Sequence, residues 1–136
     1  MITKTARMAF PILLLALAGC SSSNAPERDP NVMPVKYKEE ILLTIQPLLS
    51  DPTNIRDAGI TDPMLRPAGR DQRYAVCVRA NPRDPDRKYM GVQYRIGWFY
   101  DGTLNQLVDA TPEQCAGMPF KPFLELEQLC MAKKCD

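Results

Sequence analysis

The sequence contains no histidine, and this absence excludes several kinds of functional site. Ser–His–Asp and Cys–His catalysis, as usually built, need an imidazole as the general base. Histidine is also the commonest protein ligand for zinc, copper and non-haem iron. A metal site here would have to use cysteines or carboxylates alone. We therefore predict no catalytic residues, no metal site and no cofactor.

The sequence also lacks the short motifs that mark common active sites. It has no glycine-rich phosphate loop, no Gly-x-Ser-x-Gly nucleophile motif and no His-Glu-x-x-His zinc motif. Its 17 Lys and Arg residues are balanced by 16 Asp and Glu residues. Proteins that bind nucleic acid usually carry a clear basic excess, so we expect no nucleic-acid partner.

An apolar run near the N-terminus, residues 8–18, is too short to cross a membrane. A transmembrane helix needs roughly 20 apolar residues, and this run contains Pro11. Lys4 and Arg7 precede it, and small residues follow it. A basic start, an apolar centre and small residues at a cleavage site form the layout of a secretory signal peptide.

The end of this segment, Leu17-Ala18-Gly19-Cys20 followed by Ser21, resembles the lipobox of bacterial lipoproteins. The resemblance implies cleavage before Cys20, diacylation of its thiol and usually acylation of its new amino group. In enteric bacteria an Asp after the lipidated cysteine favours the inner membrane, so Ser21 favours the periplasmic face of the outer membrane. The alternative is a soluble secreted protein cut near Ala18.

Removal of residues 1–19 leaves 117 residues, which is enough for one domain. The signal contains Lys4 and Arg7, so 15 basic residues remain against 16 acidic ones and the net charge falls to −1. Residues 21–34 are polar and contain proline, which is typical of a disordered tether. We predict a signal peptide at 1–19, lipidated Cys20 with a tether at 20–34, and a periplasmic domain at 35–136.

Four further cysteines lie in this domain. In an oxidising compartment such as the periplasm, an even number of cysteines can pair completely in disulfides. They predict two disulfides, and sequence alone allows three pairings. We favour Cys77 with Cys115 and Cys130 with Cys135. The alternative is a redox or four-cysteine zinc site, although the chain has no Cys-x-x-Cys motif.

The apolar pattern predicts helices at both ends of the domain and strands between them. Residues 35–50 have helical spacing up to Pro47, and residues 122–134 begin with Pro122 and end with two lysines. Asp101-Gly102 is a strong two-residue hairpin signal. The predicted fold is α+β: a small antiparallel meander of three to four strands with both helices packed on one face. The predicted strands are 54–60 (at an edge), 73–80, 91–100 and 103–109, and residues 61–72, which contain Pro67, are predicted to form a loop.

Alternation along residues 91–100 predicts a candidate binding surface. Tyr94, Ile96, Trp98 and Tyr100 fall on one face, which we interpret as core. Gln93, Arg95, Gly97 and Phe99 fall on the other face. If strands 73–80 and 91–100 pair, Arg79 can join this face, and the resulting patch could bind a carboxylate or phosphate. The alternative is a set of ordinary solvated residues, with Arg95 paired to an acid such as Asp109. The candidate surface consists of Arg79, Arg95, Gln93 and Phe99.

Two stretches of the domain resemble a group of small exported proteins of alphaproteobacteria. They are residues 51–58 (DPTNIRDA) and 73–79 (RYAVCVR). The resemblance implies an intact domain over about residues 35–130. No activity is attached to that group, so the resemblance transfers no site residues.

The anchor, the tether and the missing catalytic motifs favour a non-catalytic binding or assembly module with a protein partner in the cell envelope. The first alternative is a periplasmic inhibitor or ligand-binding lipoprotein, for example one that blocks a lysozyme. The inhibitors of that kind are all-β, in contrast to the helical patterns found here. The second alternative, an enzyme acting on peptidoglycan, would depend on carboxylates alone.

Overall fold

The computed structural model describes residues 29–130 together with Gly19 and Cys135. The predicted signal peptide apart from Gly19, the predicted lipidation site Cys20 and residues 21–28 of the predicted tether lie outside the described residues. Residues 131–134 of the predicted C-terminal helix also lie outside them.

The described chain forms an antiparallel sheet of six strands with two short α-helices and two short 3₁₀ helices. In chain order the elements are α1 (Tyr37–Ile45), a 3₁₀ helix (Gln46–Leu48), β1 (Asp51–Thr61), β2 (Met64–Ala68), β3 (Asp71–Arg83), β4 (Gln93–Tyr100), β5 (Thr103–Ala110), a 3₁₀ helix (Pro112–Cys115), β6 (Phe120–Pro122) and α2 (Leu124–Glu127).

The predicted α+β fold is therefore wrong, because the described residues are mostly β. Residues 64–68 were expected in a loop on account of Pro67, but they form β2, which pairs with β3 alone among the described strands. Proline is tolerated in such a strand because no second neighbour needs its missing N–H. The predicted C-terminal helix begins instead as β6, and its only described α-helical part is α2.

The central strand is β3, and the sheet order is β5-β4-β3-β1-β6. The second half of β3 pairs with β1, while its first half pairs with β2. The predicted edge strand is thus an inner strand between β3 and β6. Where β1 gives way to β2, the buried Thr61 hydroxyl accepts a hydrogen bond of 2.9 Å from the Cys77 N–H. This bond satisfies a buried donor at the point where the strand is interrupted.

Both faces of the sheet are covered, which makes four consecutive residues of β3 buried, from Ala75 to Val78. A strand buried on both faces does not need to alternate apolar and polar residues. One face packs against the two helices through Ile41, Ile45, Ile55, Ala58, Ile60, Val76, Val78, Ala80, Phe99, Phe123 and Leu126. The opposite face packs around Ala75, Cys77, Ile96, Cys115 and Met118.

Helix α1 ends at Ile45, as the position of Pro47 predicts. Ile41 and Ile45 point into the core. The Glu40 carboxylate accepts a hydrogen bond of 2.5 Å from the Leu104 N–H, which attaches the helix to β5.

The segment before α1 lies against the turn between β4 and β5. The Pro30 carbonyl accepts a hydrogen bond of 3.0 Å from the Asp101 N–H. Pro34 is fully buried. Contacts with the domain therefore begin ahead of the predicted boundary at residue 35.

Both favoured disulfides are present. Cys77–Cys115 joins the middle of β3 to the second 3₁₀ helix, and Cys130 is bonded to Cys135. The first bond fixes residues 112–118 over the sheet face opposite the helices. Arg66 supports the same segment by donating hydrogen bonds to the carbonyls of Ala116 and Gln114, at 3.1 and 3.3 Å.

Candidate binding groove

The register of β3 with β4 separates the two arginines of the predicted binding surface. Arg79 pairs with Tyr94, whereas Arg95 pairs with Val78. Directly paired residues point to the same face of an antiparallel sheet. Arg79 is the residue after Val78, the partner of Arg95, and neighbouring residues of a strand point to opposite faces. The two arginines therefore lie on opposite faces of the sheet, and the expected shared patch does not form.

Each member of the predicted surface instead has a local structural environment. The Arg79 guanidinium lies 4.6 Å from the ring centroid of Phe120. Arg95 forms an ion pair of 3.2 Å with Asp109, as the alternative interpretation anticipated. Gln93 and Arg95 share the helix-covered face and line one small depression. Phe99 is 1% exposed and belongs to the core.

The sheet carries a different depression at the end where two turns meet, which we call the hairpin groove. These turns are Gly69-Arg70, between β2 and β3, and Asp101-Gly102, between β4 and β5. The groove has a volume of about 330 Å³. It is lined by Ala68, Gly69, Arg73, Trp98, Phe99, Tyr100, Asn105 and Gln106.

An arginine and two aromatic residues determine the chemistry of the hairpin groove. The Arg73 guanidinium lies over the Tyr100 ring, 5.4 Å from its centroid, and contacts the Asp71 carboxylate at 3.4 Å. Tyr100 is 51% exposed, and Trp98 is partly buried against the Cys77–Cys115 side of the core. Trp, Tyr and Arg are the residue types most enriched among the residues that dominate protein interfaces.

Left-handed backbone at the turns shapes the rim of the groove. Gly69, Asp101 and Gly102 have φ angles of 66°, 52° and 76°. Two successive positive φ angles at Asp101-Gly102 are typical of the hairpin turn that its sequence predicted. Asn105 is an additional residue in β5, at a shift in the β4–β5 register, and it places an amide side chain on the groove.

A second polar cluster lies at the other end of β3. Asp51 forms an ion pair of 2.8 Å with Arg83, which also donates a hydrogen bond of 2.8 Å to the Thr53 hydroxyl. The Thr53 hydroxyl and N–H both donate to the Asp51 carboxylate. These hydrogen bonds, with the Arg83 charge, lower the pKa of Asp51. The Asp51 and Arg83 charges pair with each other, which favours a structural role, but the buried Nε of Arg83 has no hydrogen-bond partner among the described residues.

The sequence did not identify the hairpin groove, although it placed Trp98 and Tyr100 on one face. We interpreted that face as core throughout. In the structure, residues 112–118 and the disulfide cover its middle, while its end near Asp101-Gly102 stays open. The signal available beforehand was the hairpin turn itself, because a residue just before a turn lies at the end of the sheet.

Metal ligands, membrane-spanning helices and similarity to known proteins indicate no function for the described part of the chain. Among residues 29–130, Gly19 and Cys135, no group of three or more His, Cys, Asp or Glu side chains could hold a metal ion. None of the helices in this described part is long and apolar enough to span a membrane. No protein-family model matches the chain, and no curated protein or solved structure shows significant similarity to it.

Proposed function

We propose that the protein is a lipid-anchored, non-catalytic binding module of the bacterial cell envelope, and that it contacts a partner protein through the hairpin groove. The observation that carries this proposal is the open cluster of Arg73, Trp98 and Tyr100 at one end of the sheet. The lipobox-like segment ending in Cys20 supports the anchor. The two disulfides fit an oxidising compartment outside the cytoplasm.

The chemistry of the groove favours a protein segment over a small metabolite. Its polar groups are spread along an open rim, whereas small-molecule sites usually enclose most of the ligand surface. Trp98 and Tyr100 offer large, rigid contact areas, and the amides of Asn105 and Gln106 offer hydrogen-bond donors and acceptors. A peptide segment with an apolar side chain beside polar backbone groups would satisfy both.

Site-specific photocrosslinking in cells tests this proposal. A photoreactive phenylalanine analogue replaces Asn105, which is exposed on the groove, and a control chain carries it at Glu39, which is exposed on α1. We expect one envelope protein to be crosslinked from position 105 and not from position 39. Capture should fall when the Cys20→Ala substitution removes the proposed anchor. Equal crosslinking from both positions, or no specific product from position 105, would refute the proposal.

An inhibitor function is the second candidate, because the structure removes one objection to it. Helical patterns at both ends of the domain spoke against an all-β inhibitor, but the described residues form a six-stranded sheet with only short helices. A lysozyme assay on purified cell walls tests this candidate. Inhibition by the wild-type protein that is lost in Tyr100→Ala would favour it, and an unchanged rate with wild-type protein would discard it.

A further inference from the structure

The first described contacts of the chain fix the place where the domain connects to its proposed anchor. The Pro30 carbonyl is hydrogen-bonded to the Asp101 N–H, at the turn between β4 and β5. Pro30 is ten residues beyond Cys20. Ten residues reach at most about 35 Å when fully extended. The turn at Asp101-Gly102 therefore lies within about 35 Å of the proposed lipidated residue.

The opposite end of the sheet lies a full strand length away from this turn. Strand β3 has 13 residues and runs from the turn at Gly69-Arg70 to Arg83. Such a strand is roughly 40 Å long at about 3.3 Å per residue. An anchor that holds the Asp101-Gly102 turn within 35 Å of the membrane therefore favours orientations with this end toward the lipid.

The segment between Pro30 and α1 presents apolar side chains outward at this same end. Val32 is 47% exposed, Met33 is 50% exposed and Val35 is 83% exposed, while Pro34 between them is buried. Val32 packs against Gly102, so the segment is fixed on the turn. Lys36 follows directly and is exposed, as is Arg70 on the adjacent turn. Exposed apolar residues beside basic ones are typical of surfaces that lie in the headgroup region of a membrane.

We infer that the exposed side chains of Val32, Met33 and Val35 contact the lipid surface and hold the domain with its hairpin end against the membrane. This inference rests on the proposed anchor at Cys20 and adds an orientation to it. A side chain such as Val35 that enters the headgroup region removes its apolar surface from water. Lys36 and Arg70 would face anionic headgroups. The hairpin groove would then open beside the membrane, where a membrane-bound partner can reach it.

Quenching of tryptophan fluorescence by brominated lipids tests this orientation. The full lipidated chain is reconstituted into vesicles of phosphatidylethanolamine and phosphatidylglycerol with brominated acyl chains. Trp98, the single tryptophan, is replaced by Phe, and a new tryptophan is introduced as Val35→Trp or, as a matched control, Val92→Trp. Val92 is 46% exposed and lies just before the other end of β4.

We expect emission from position 35 to fall by about half in brominated vesicles, since interfacial side chains lie 5–10 Å deep, and emission from position 92 to stay unchanged. Equal quenching at both positions, or none at position 35, would overturn the inference. The mass of the purified chain reports the anchor separately: an acylated chain without quenching at position 35 refutes the orientation alone. A chain without acyl groups refutes the anchor and the orientation together.

Hydrogen exchange on the wild-type chain supplies a readout that needs no substitution. The comparison sample is the same chain in detergent-free buffer after enzymatic removal of the acylated N-terminus. Amides of residues 31–36 should exchange more slowly in vesicles than in this sample, and amides of residues 84–88 should exchange at the same rate in both. Unchanged exchange at residues 31–36 would contradict membrane contact even if a tryptophan variant failed to fold.

Discussion

The guanidinium group of Arg73 lies over the ring of Tyr100, with 5.4 Å between its central carbon and the ring centroid. Cation–π pairs at partly exposed sites contribute about 0.5–1 kcal/mol. We expect Arg73→Ala and Tyr100→Ala each to lower the free energy of unfolding only slightly. A double-mutant cycle measured by urea unfolding should give a coupling energy of about 0.5–1 kcal/mol.

The same two substitutions separate binding from stability. If the hairpin groove is the docking site, each substitution should strongly reduce crosslinking from position 105. The loss of stability, at most about 1 kcal/mol, is too small to explain such a reduction. Leu65→Ala offers a matched control, because Leu65 is exposed on the neighbouring β2 but does not line the groove. Equal losses of crosslinking in all three variants would show that the groove has no special role.

The Cys77–Cys115 disulfide should contribute more stability than Cys130–Cys135. Its cysteines are 38 residues apart, for which the chain-entropy model gives about 4 kcal/mol, against about 2 kcal/mol for a separation of 5. We expect the paired substitution of Cys77 and Cys115 by alanine to lower the urea midpoint clearly further than the same change at Cys130 and Cys135. A reversed order would indicate that the C-terminal loop stabilises the fold more than loop length implies.

The Thr61 hydroxyl should be essential where β1 ends. It accepts the buried Cys77 N–H at 2.9 Å and is itself fully buried. Thr61→Val keeps the shape but leaves this N–H without a partner, which costs about 1–3 kcal/mol. Thr61→Ser keeps the hydroxyl and is the matched control. If thermal unfolding shows that the two variants are equally stable, the hydrogen bond from the Cys77 N–H to the Thr61 hydroxyl does not stabilise the end of β1.

The lowered pKa of Asp51 predicts a dependence of stability on pH. Hydrogen bonds from the Thr53 hydroxyl and N–H, followed by the Arg83 charge, hold this pKa below its ordinary value of 3.8, although burial opposes them. The folded state therefore keeps the carboxylate ionised when the unfolded state has begun to bind a proton. The resulting stabilisation is complete above pH 3.8 and is lost as pH falls through the folded pKa.

The measurement compares wild type with Asp51→Asn by urea unfolding from pH 7 to pH 2. We expect the variant to be less stable by about 1.5 kcal/mol at pH 7, the usual contribution of a hydrogen bond to a charged group. The difference should shrink only below pH 3.8. Asp86→Asn, in the exposed loop before β4, controls for loss of a surface charge. A difference that already falls between pH 7 and pH 5 would contradict the assignment.

The parts of the fold that the sequence predicted depend on local signals. Asp101-Gly102 tolerates left-handed backbone and gave the β4–β5 hairpin, and Pro47 gave the end of α1. The even cysteine count predicted two disulfides but left three pairings open, and the favoured pairing is the one observed. In each case residues close in sequence, or a covalent constraint, determine the outcome.

The parts that the sequence missed depend on contacts between distant segments. Pro67 suggested a loop, but β3 is long enough to pair with both β1 and β2, and β2 needs no other partner. Arg79 and Arg95 appeared to share a face until the register placed them one residue out of phase. The hairpin groove was missed for the same reason, since Arg73 meets Tyr100 only through the pairing of β3 with β4.

Gly102 should hold the N-terminal segment on the domain for two separable reasons. Its φ angle is +76°, and a Cβ there would lie 3.2 Å from a methyl carbon of Val32. Gly69 has a similar φ of +66°, but apart from its own atoms and those of its two chain neighbours, no heavy atom of the described residues lies within 4 Å of its Cβ position. Left-handed backbone costs a residue with a Cβ about 1–2 kcal/mol. Gly69→Ala therefore measures backbone strain alone, and Gly102→Ala measures strain plus the displacement of Val32.

We expect Gly102→Ala to lower the free energy of unfolding by more than Gly69→Ala does, and to accelerate hydrogen exchange of the Asp101 N–H, which is bonded to Pro30. Gly69→Ala should leave that amide protected, because a Cβ at Gly69 would meet no atom of residues 30–35. If both variants expose the Asp101 amide equally, strain at either turn is sufficient to open this end of the sheet. In that case Val32 would contribute little, and residues 30–35 would be held mainly by the burial of Pro34.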